Sequence, residues 1–301
     1  MKILVSGSSG LIGSALVPFL TTGGHAVVRL VRAGRSAAAE GIPWDPSTGA
    51  IDAAKLEGFD AVVHLAGESI AAARWTPEQK VRIHESRVKG TRLLAETLAR
   101  LARPPRALVC ASAVGYYGNR GGELLNEASA PGSDFLAQVC RDWEAAAEPA
   151  TRRGIRVVNL RFGMVLSSAG GGLAKMLTPF RLGVGGIIGS GRQYVSWIAL
   201  DDVVGAIHHA LSTDALRGPV NAVGPTPVTN REFTKALGRV LSRPTIFPVP
   251  AFAARATFGE MADALLLASQ RVEPARLLAG GYQFQFPELE GALRHALAKQ
   301  E

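Results

Sequence analysis

Cysteine is scarce in this chain: two residues, Cys110 and Cys140, among 301. They lie far apart and neither has a histidine neighbour, which excludes a Cys/His metal cluster and a disulfide framework. The expectation is a reduced, cytoplasmic protein without a metal. Blocks of like charge are missing as well. The net charge of +8 comes from 33 basic and 25 acidic residues, scattered apart from pairs such as Arg152-Arg153. Such a balance suits an anionic small molecule at least as well as nucleic acid, and no nucleic-acid-binding motif tips the choice. No apolar run reaches the ~20 residues that cross a bilayer. The first residues have the pattern of a strand, not of a signal peptide. Internal repeats and long linkers are absent too. What remains is an ordinary globular composition, 47% hydrophobic and 19% charged, able to bury a sizeable core. The expected partner is a small molecule, with neither nucleic acid nor membrane.

Against that background the start of the chain stands out. Lys2-Ile-Leu-Val-Ser-Gly7-Ser-Ser-Gly10-Leu-Ile-Gly13 joins an apolar run to a turn with three glycines spaced three apart, and a helical pattern from Leu11 follows at once. Strand, tight turn and helix N-terminus make an anion site, because free backbone N–H groups and the positive helix end face the ligand. Gly7 can adopt angles forbidden to other residues. Gly10 lets a pyrophosphate approach the main chain, and Gly13 lets helix and strand pack closely.

Strands and helices then alternate. Strands are expected at 2–6, 25–32, 60–66, 106–112, 155–162 and 220–223. Helices are expected at 11–22 with a kink at Pro18, at 77–102, at 133–152 and at 201–212. This pattern predicts an α/β fold, a Rossmann-type doubly wound parallel sheet with helices on both faces. After Phe162 the texture becomes glycine-rich around one helix at 173–182. From Thr229 it is mostly helical, with strand-like pieces at 245–249 and 282–286. The expected organisation is a dinucleotide-binding domain of residues 1–165 plus 200–224, interleaved with a smaller, mostly helical C-terminal substrate part, 166–199 plus 225–301.

The second strand bears on the choice of cofactor. An NAD-selective fold usually ends it with an acid that binds the ribose 2′-hydroxyl. Here Arg32 lies one step past that place. A guanidinium there forms a charge-assisted pair with a 2′-phosphate, assisted by Arg35 and by Ser8 or Ser9, so NADP(H) is expected.

With the glycine turn, His64-Leu-Ala-Gly67, Ser86-Arg-Val-Lys-Gly-Thr91 and Ser112-Ala-Val-Gly-Tyr-Tyr-Gly118, the chain resembles the extended short-chain dehydrogenase/reductases. More narrowly it is similar to an atypical epimerase-family branch, NAD-dependent epimerase/dehydratase-like, some bacterial members of which carry a cell-division-inhibitor label. Further matching stretches include Arg74-Trp75, Cys140-Arg-Asp-Trp-Glu144, Arg161-Phe-Gly163 and Gly259-Glu-Met261. The resemblance implies that Gly7, Gly10 and Ile12 line the pyrophosphate and Arg32 the 2′-phosphate. Leu65, Ala66 and Gly67 would run under the riboses, and Ser112 would sit beside the nicotinamide. Ser9, Leu11, Gly13, Arg87 and Arg161 complete the implied cofactor set. Asp45 is either the acid near the adenine or a turn residue before Pro46.

The same resemblance exposes a gap. These enzymes pair a serine or threonine with Tyr-x-x-x-Lys on the following helix. Anchored on Glu144, the lysine place falls at Cys140 and the tyrosine place at Leu136. Leucine has no proton to give, and an ordinary thiol is mostly neutral at pH 7. Candidate catalytic residues are therefore Ser112, Tyr117 and Cys140, the last being either a core residue or a thiol facing the ligand. Tyr116 and Glu68 are further proton donors. Sugar dehydration is disfavoured, since Ala113-Val-Gly115 replaces the acidic pair it uses. Arg181, Arg192, Gln193, Tyr194, Ser196 and Trp197 would suit a polar, even anionic, substrate, or would simply belong to a loop closing over the cofactor. The expected function is an NADP(H)-dependent oxidoreductase. The alternatives are a non-catalytic NADP(H)-binding sensor and, ranked lower, a nucleotide-sugar epimerase. The long helices 76–102 and 133–152 resemble the pair that forms dimer interfaces, so a homodimer is one expectation and solvated faces the other.

Overall fold

The structure is a computed structural model that describes residues 1–32 and 41–298. Arg35 lies outside the described residues. The chain opens with β1 (Lys2–Ser6), α1 (Leu11–Thr22), β2 (Ala26–Arg32), β3 (Ile42–Asp45), β4 (Ala50–Ile51) and β5 (Ala61–His64). It continues with α2 (Pro77–Arg100), β6 (Ala107–Ala113), β7 (Leu124–Leu125), α3 (Phe135–Ala145), α4 (Glu148–Arg152) and β8 (Arg156–Phe162). Then come β9 (Met164–Leu166), α5 (Gly171–Arg181), β10 (Tyr194–Val195), β11 (Trp197–Ala199), α6 (Leu200–Ser212) and β12 (Gly218–Ala222). The C-terminal part holds β13 (Val228–Thr229), α7 (Asn230–Leu241), α8 (Ala251–Phe258), α9 (Glu260–Ala262), β14 (Arg271–Val272), α10 (Ala275–Ala279) and α11 (Leu289–Ala298).

Eight strands form one sheet in the order β12-β8-β6-β5-β1-β2-β3-β4. Every neighbouring pair is parallel except β3–β4. The near-continuous apolar strands follow from burial on both faces. Successive side chains alternate between the faces. Ile3, Val5, Val63, Val109 and Leu160 enter the core under α1 and α6. Leu4, Val62, Leu108 and Val157 enter the opposite core, which includes Leu94 and Leu98 of α2. A third apolar cluster joins α5, α7 and α11 through Leu173, Leu177, Phe180, Phe233, Leu237 and Leu293. Among the described residues no helix is long and apolar enough to cross a membrane.

Three local expectations are corrected. The single helix expected over 133–152 is two, broken at Ala146 and Ala147. Pro149 in the first turn of α4 explains the break. It lacks the N–H that a continuous helix would require there, whereas a first helical turn leaves that donor unused anyway. The segments 245–249 and 282–286 are not strands. The first makes only an isolated bridge, Val249 to Ile188. The second is pinned by one buried carboxylate: Asp202 accepts from the backbone N–H of Gln285 at 2.7 Å and of Phe286 at 3.0 Å, and from the Tyr282 hydroxyl at 3.1 Å. The short strand β3 also emerges beyond the expected set.

Candidate functional site

The strand order reverses beside β1, between β2 on one side and β5 on the other, and a crevice opens at the carboxyl ends of such strands. Two turns meet there. Gly7, at φ +69°, sits so close to the turn after β5 that a Cβ would fall 2.6 Å from the Leu65 carbonyl carbon. A Cβ on Gly13 would fall 2.3 Å from the Gly7 carbonyl oxygen. Both glycines are therefore required by close backbone approach. Gly10 caps α1 with no side-chain hydrogen bond, and its own N–H donates to the Gly7 carbonyl at 3.0 Å. The first N–H groups of α1, on Leu11, Ile12 and Gly13, have no intrahelical acceptor. Ser9 and Gly10 are exposed beside them. This cradle fits a pyrophosphate: small residues, an uncapped helix end and an exposed rim.

Arg32 ends β2 and is exposed, in register with Trp44 of β3. Asp45 ends β3 at the same edge. Its carboxylate accepts from Ser47 at the backbone N–H, 2.8 Å, and at the hydroxyl, 2.6 Å. Those bonds lower its pKa. Of the two expected roles, the turn role is the one these contacts supply.

The turn after β5 is anchored from below. His64 is fully buried, with Nδ1 2.6 Å from Ser6 Oγ and Nε2 3.0 Å from Thr91 Oγ1. Trp143 Nε1 donates to the same Thr91 oxygen at 2.9 Å. The network ties β1, β5, α2 and α3 together, and burial pushes the His64 pKa down to about 4. Above it, the Glu68 N–H donates to Ser86 Oγ at 3.1 Å, and Arg87 lies against Gly67.

Beyond β6 the expected catalytic residues gather, but inside the wall. The Ser112 hydroxyl donates to Glu144 Oε1 at 2.7 Å. Arg161 grips the same carboxylate with Nε and Nη2, both at 2.8 Å. Its Nη1 donates to the Tyr117 hydroxyl at 3.0 Å, and that hydroxyl donates to Asn221 Oδ1 at 2.7 Å. Ser112, Tyr117 and Arg161 are each 2% exposed or less. Burial pulls the Arg161 pKa down, but the bonds and charge of Glu144 reverse that and leave it raised. Burial raises the Tyr117 pKa, partly opposed by Arg161. Arg161 thus leaves the cofactor set: its fork is spent on Glu144. Tyr117 is part of this wall, and the half-buried Tyr116 beside it has its ring centroid 3.4 Å from the Arg161 guanidinium carbon. Cys140 is buried against Gly115 and Leu136, and burial with the Glu144 charge pushes its thiol up to about 12. That is the core reading of Cys140.

The glycine-rich segment is also used internally. Gln193 Nε2 donates to the carbonyls of Ile188 and Leu266, at 2.9 and 3.1 Å. The Ser196 hydroxyl donates to the Gln270 carbonyl at 2.7 Å, and Trp197 Nε1 to that of Thr226 at 3.0 Å. These three side chains fasten loops, a correction to their expected place in a substrate cleft. Arg192 is exposed and Tyr194 half-buried. The segment after β9 does reach the crevice: Gly171 lies against the Leu11 side chain, where a Cβ would fall 3.2 Å from it. The 69–76 loop is tied to the C-terminal part. Lys175 Nζ donates to the Ala71 carbonyl, and Arg74 Nη2 to that of Ala256 at 3.2 Å.

Sheet order, glycine cradle and the β5 and β6 edges together define a dinucleotide-binding protein of the extended short-chain dehydrogenase/reductase type. The chain belongs to the NAD dependent epimerase/dehydratase family, whose model matches residues 3–223. A domain of unknown function matches residues 249–296. An epimerase family protein of Mycobacterium bovis is 45% identical over 297 residues, covering 99% of this chain and 98% of the relative. The human epimerase family protein SDR39U1 is 39% identical over 304 residues, covering 99% and 100%. A crystal structure of human SDR39U1, isoform 2, with NADPH superposes with a TM-score of 0.90 at 38% identity, over 99% of both chains. A nucleoside-diphosphate sugar epimerase from Corynebacterium glutamicum has a TM-score of 0.81 at 39% identity, covering 99% of this chain and 58% of that one.

Proposed function

We propose that this chain is an NADP(H)-dependent oxidoreductase acting on a small polar carbonyl or alcohol. The observation that carries the reading is the cradle at Gly7, Gly10 and Gly13, joined at the same sheet edge by Arg32 instead of an acid. The human relative crystallised with NADPH supports it. When bound, the cofactor supplies the hydride; the protein supplies position and a proton. Cys140 is excluded from proton exchange at neutral pH by its buried, neutral thiol, and Leu136 by its chemistry. Tyr116 and Glu68, both half-buried and just past the carboxyl ends of β6 and β5, are the groups that take up this work. Ser112, Glu144, Arg161 and Tyr117 hold the wall behind them.

The absence of a tyrosine and a lysine on α3 favours a second reading, a non-catalytic NADP(H) sensor. The two readings separate in one experiment. The NADPH-loaded protein is mixed with a panel of small carbonyl compounds and oxidation is followed by absorbance at 340 nm. Turnover is expected on at least one polar compound. Tyr116→Phe or Glu68→Gln should lower its kcat by about 100-fold, the typical contribution of one positioned proton donor. Tight NADPH binding with no turnover on any compound supports the sensor.

A further inference from the structure

The C-terminal part carries a cluster of apolar side chains on its outside. Leu182 and Val184, just past α5, are 73% and 55% exposed, and Ile246 and Phe247, past α7, are 70% and 55% exposed. A single exposed apolar side chain is ordinary; four on two adjoining segments are not. The backbone joins the segments. The Val249 N–H donates to the Ile187 carbonyl at 2.8 Å, and the Gly189 N–H to the Val249 carbonyl at 2.9 Å. A Cβ on Gly186 would strike the Phe247 carbonyl, and one on Gly183 would fall 3.7 Å from the Pro244 ring. Thr245 is buried against Gly238 of α7, between exposed neighbours. With the main chains clamped in this way, the apolar tips are what is left facing solvent.

The charge around them has one sign. Residues 164–200 and 233–259, which supply both segments, hold three and four lysines and arginines respectively and no aspartate or glutamate. Lys235, Arg239 and Arg243 line one groove with Pro244 and Ile246. Arg239 is tied to Glu290 at 3.0 Å, whereas among the described residues Lys235 and Arg243 form no ion pair. The Glu232 carboxylate, one turn before Lys235, is spent on the Thr229 cap. Apolar tips beside unpaired cations fit a surface that is negative outside and apolar beneath. A nucleic acid would leave Ile246 and Phe247 without a partner. A second copy would bring the same cations against these.

We propose that this face docks on an anionic lipid surface, with Leu182, Val184, Ile246 and Phe247 entering the headgroup boundary and Lys235 and Arg243 pairing with lipid phosphates. Docking of this kind needs no spanning segment, so it is compatible with the lack, among the described residues, of a helix long and apolar enough to cross a membrane. It replaces the expectation that a membrane is not a partner, which rested on the missing apolar run alone. It is independent of the NADP(H) reading.

Co-sedimentation with vesicles tests this. The full chain is mixed with vesicles of phosphatidylcholine alone or of phosphatidylcholine and phosphatidylglycerol in equal parts. The wild type should bind the anionic vesicles about 10-fold or more tightly than the neutral ones, and high salt should weaken that binding. The double variant Lys235→Ser, Arg243→Ser should lose about 10-fold or more in affinity for the anionic vesicles. The double variant Ile246→Ser, Phe247→Ser should lose about as much while the cations remain. Circular dichroism confirms that each variant is folded. A wild type that does not bind anionic vesicles, or that binds them as tightly as either double variant, overturns the proposal. A wild-type dimer in light scattering that Ile246→Ser, Phe247→Ser disperses assigns the face to a second copy and also overturns it. Should the serine variants not fold, Phe247→Trp decides: a blue shift of the added emission with anionic vesicles supports docking, and an unchanged spectrum refutes it.

Discussion

Glu144→Ala is expected to destabilise the fold by about 3–5 kcal/mol, the cost of leaving a buried charge without its partner. The Arg161 side chain is 2% exposed and that of Glu144 13%. Three hydrogen bonds converge on the carboxylate, from Ser112 Oγ, Arg161 Nε and Arg161 Nη2. Removing it strands a guanidinium whose remaining side-chain hydrogen bond is to the Tyr117 hydroxyl. Glu144→Gln, which keeps one acceptor but loses the charge, should fall between wild type and Glu144→Ala. Urea denaturation measures all three. A loss below about 1 kcal/mol for Glu144→Ala would place it among ordinary exposed ion pairs and refute the buried arrangement.

The second large effect is a loss of stability in mild acid centred on His64. Burial holds its folded pKa at about 4, against 6.5 for the free group. As pH falls, the unfolded chain therefore takes up the proton first. The stability present above pH 6.5 is lost progressively down to about pH 4, where the folded state begins to protonate as well. The difference amounts to about 2 kcal/mol between pH 7 and pH 5. His64→Gln, which cannot titrate, should be less stable at pH 7 but lose about 2 kcal/mol less than wild type over that interval. Equal pH slopes in denaturation curves of the two proteins would show that His64 is not held neutral.

How much of this was legible in the sequence depends on how local each feature is. The cradle at Gly7 to Gly13 was legible because strand, turn and helix are consecutive, and each glycine answers a contact within that unit or with the next turn. The helix 11–22 has the expected bounds, even across Pro18. The break at Ala146 was overlooked because alanines favour helix, although Pro149 carried the signal. Strand β3 was hidden because it is four residues long and holds Pro43, which argues against a strand, although Ile42 and Trp44 alternate with less buried neighbours. The buried network was illegible for another reason. Glu144 and Arg161 stand on different elements and meet only when α3 packs against the sheet, and neither residue type advertises burial. Sequence reasoning accordingly put Arg161 and Tyr117 at the ligand, where the fold uses them as wall. Arg87 belongs to the cofactor set that the resemblance implies, and the structure adds its packing over Trp143 and against Gly67.

We propose that the first turn of this chain holds the phosphates of NADP(H) and that Arg32, ending β2, selects the phosphorylated cofactor. Fluorescence titration of the wild type and of Arg32→Ala with NADPH and NADH tests it most directly. The wild type should bind NADPH about 10-fold or more tightly than NADH, the worth of one charge-assisted pair, and Arg32→Ala should lose most of that preference while binding NADH as before. Equal affinities of the wild type for the two cofactors would contradict the account.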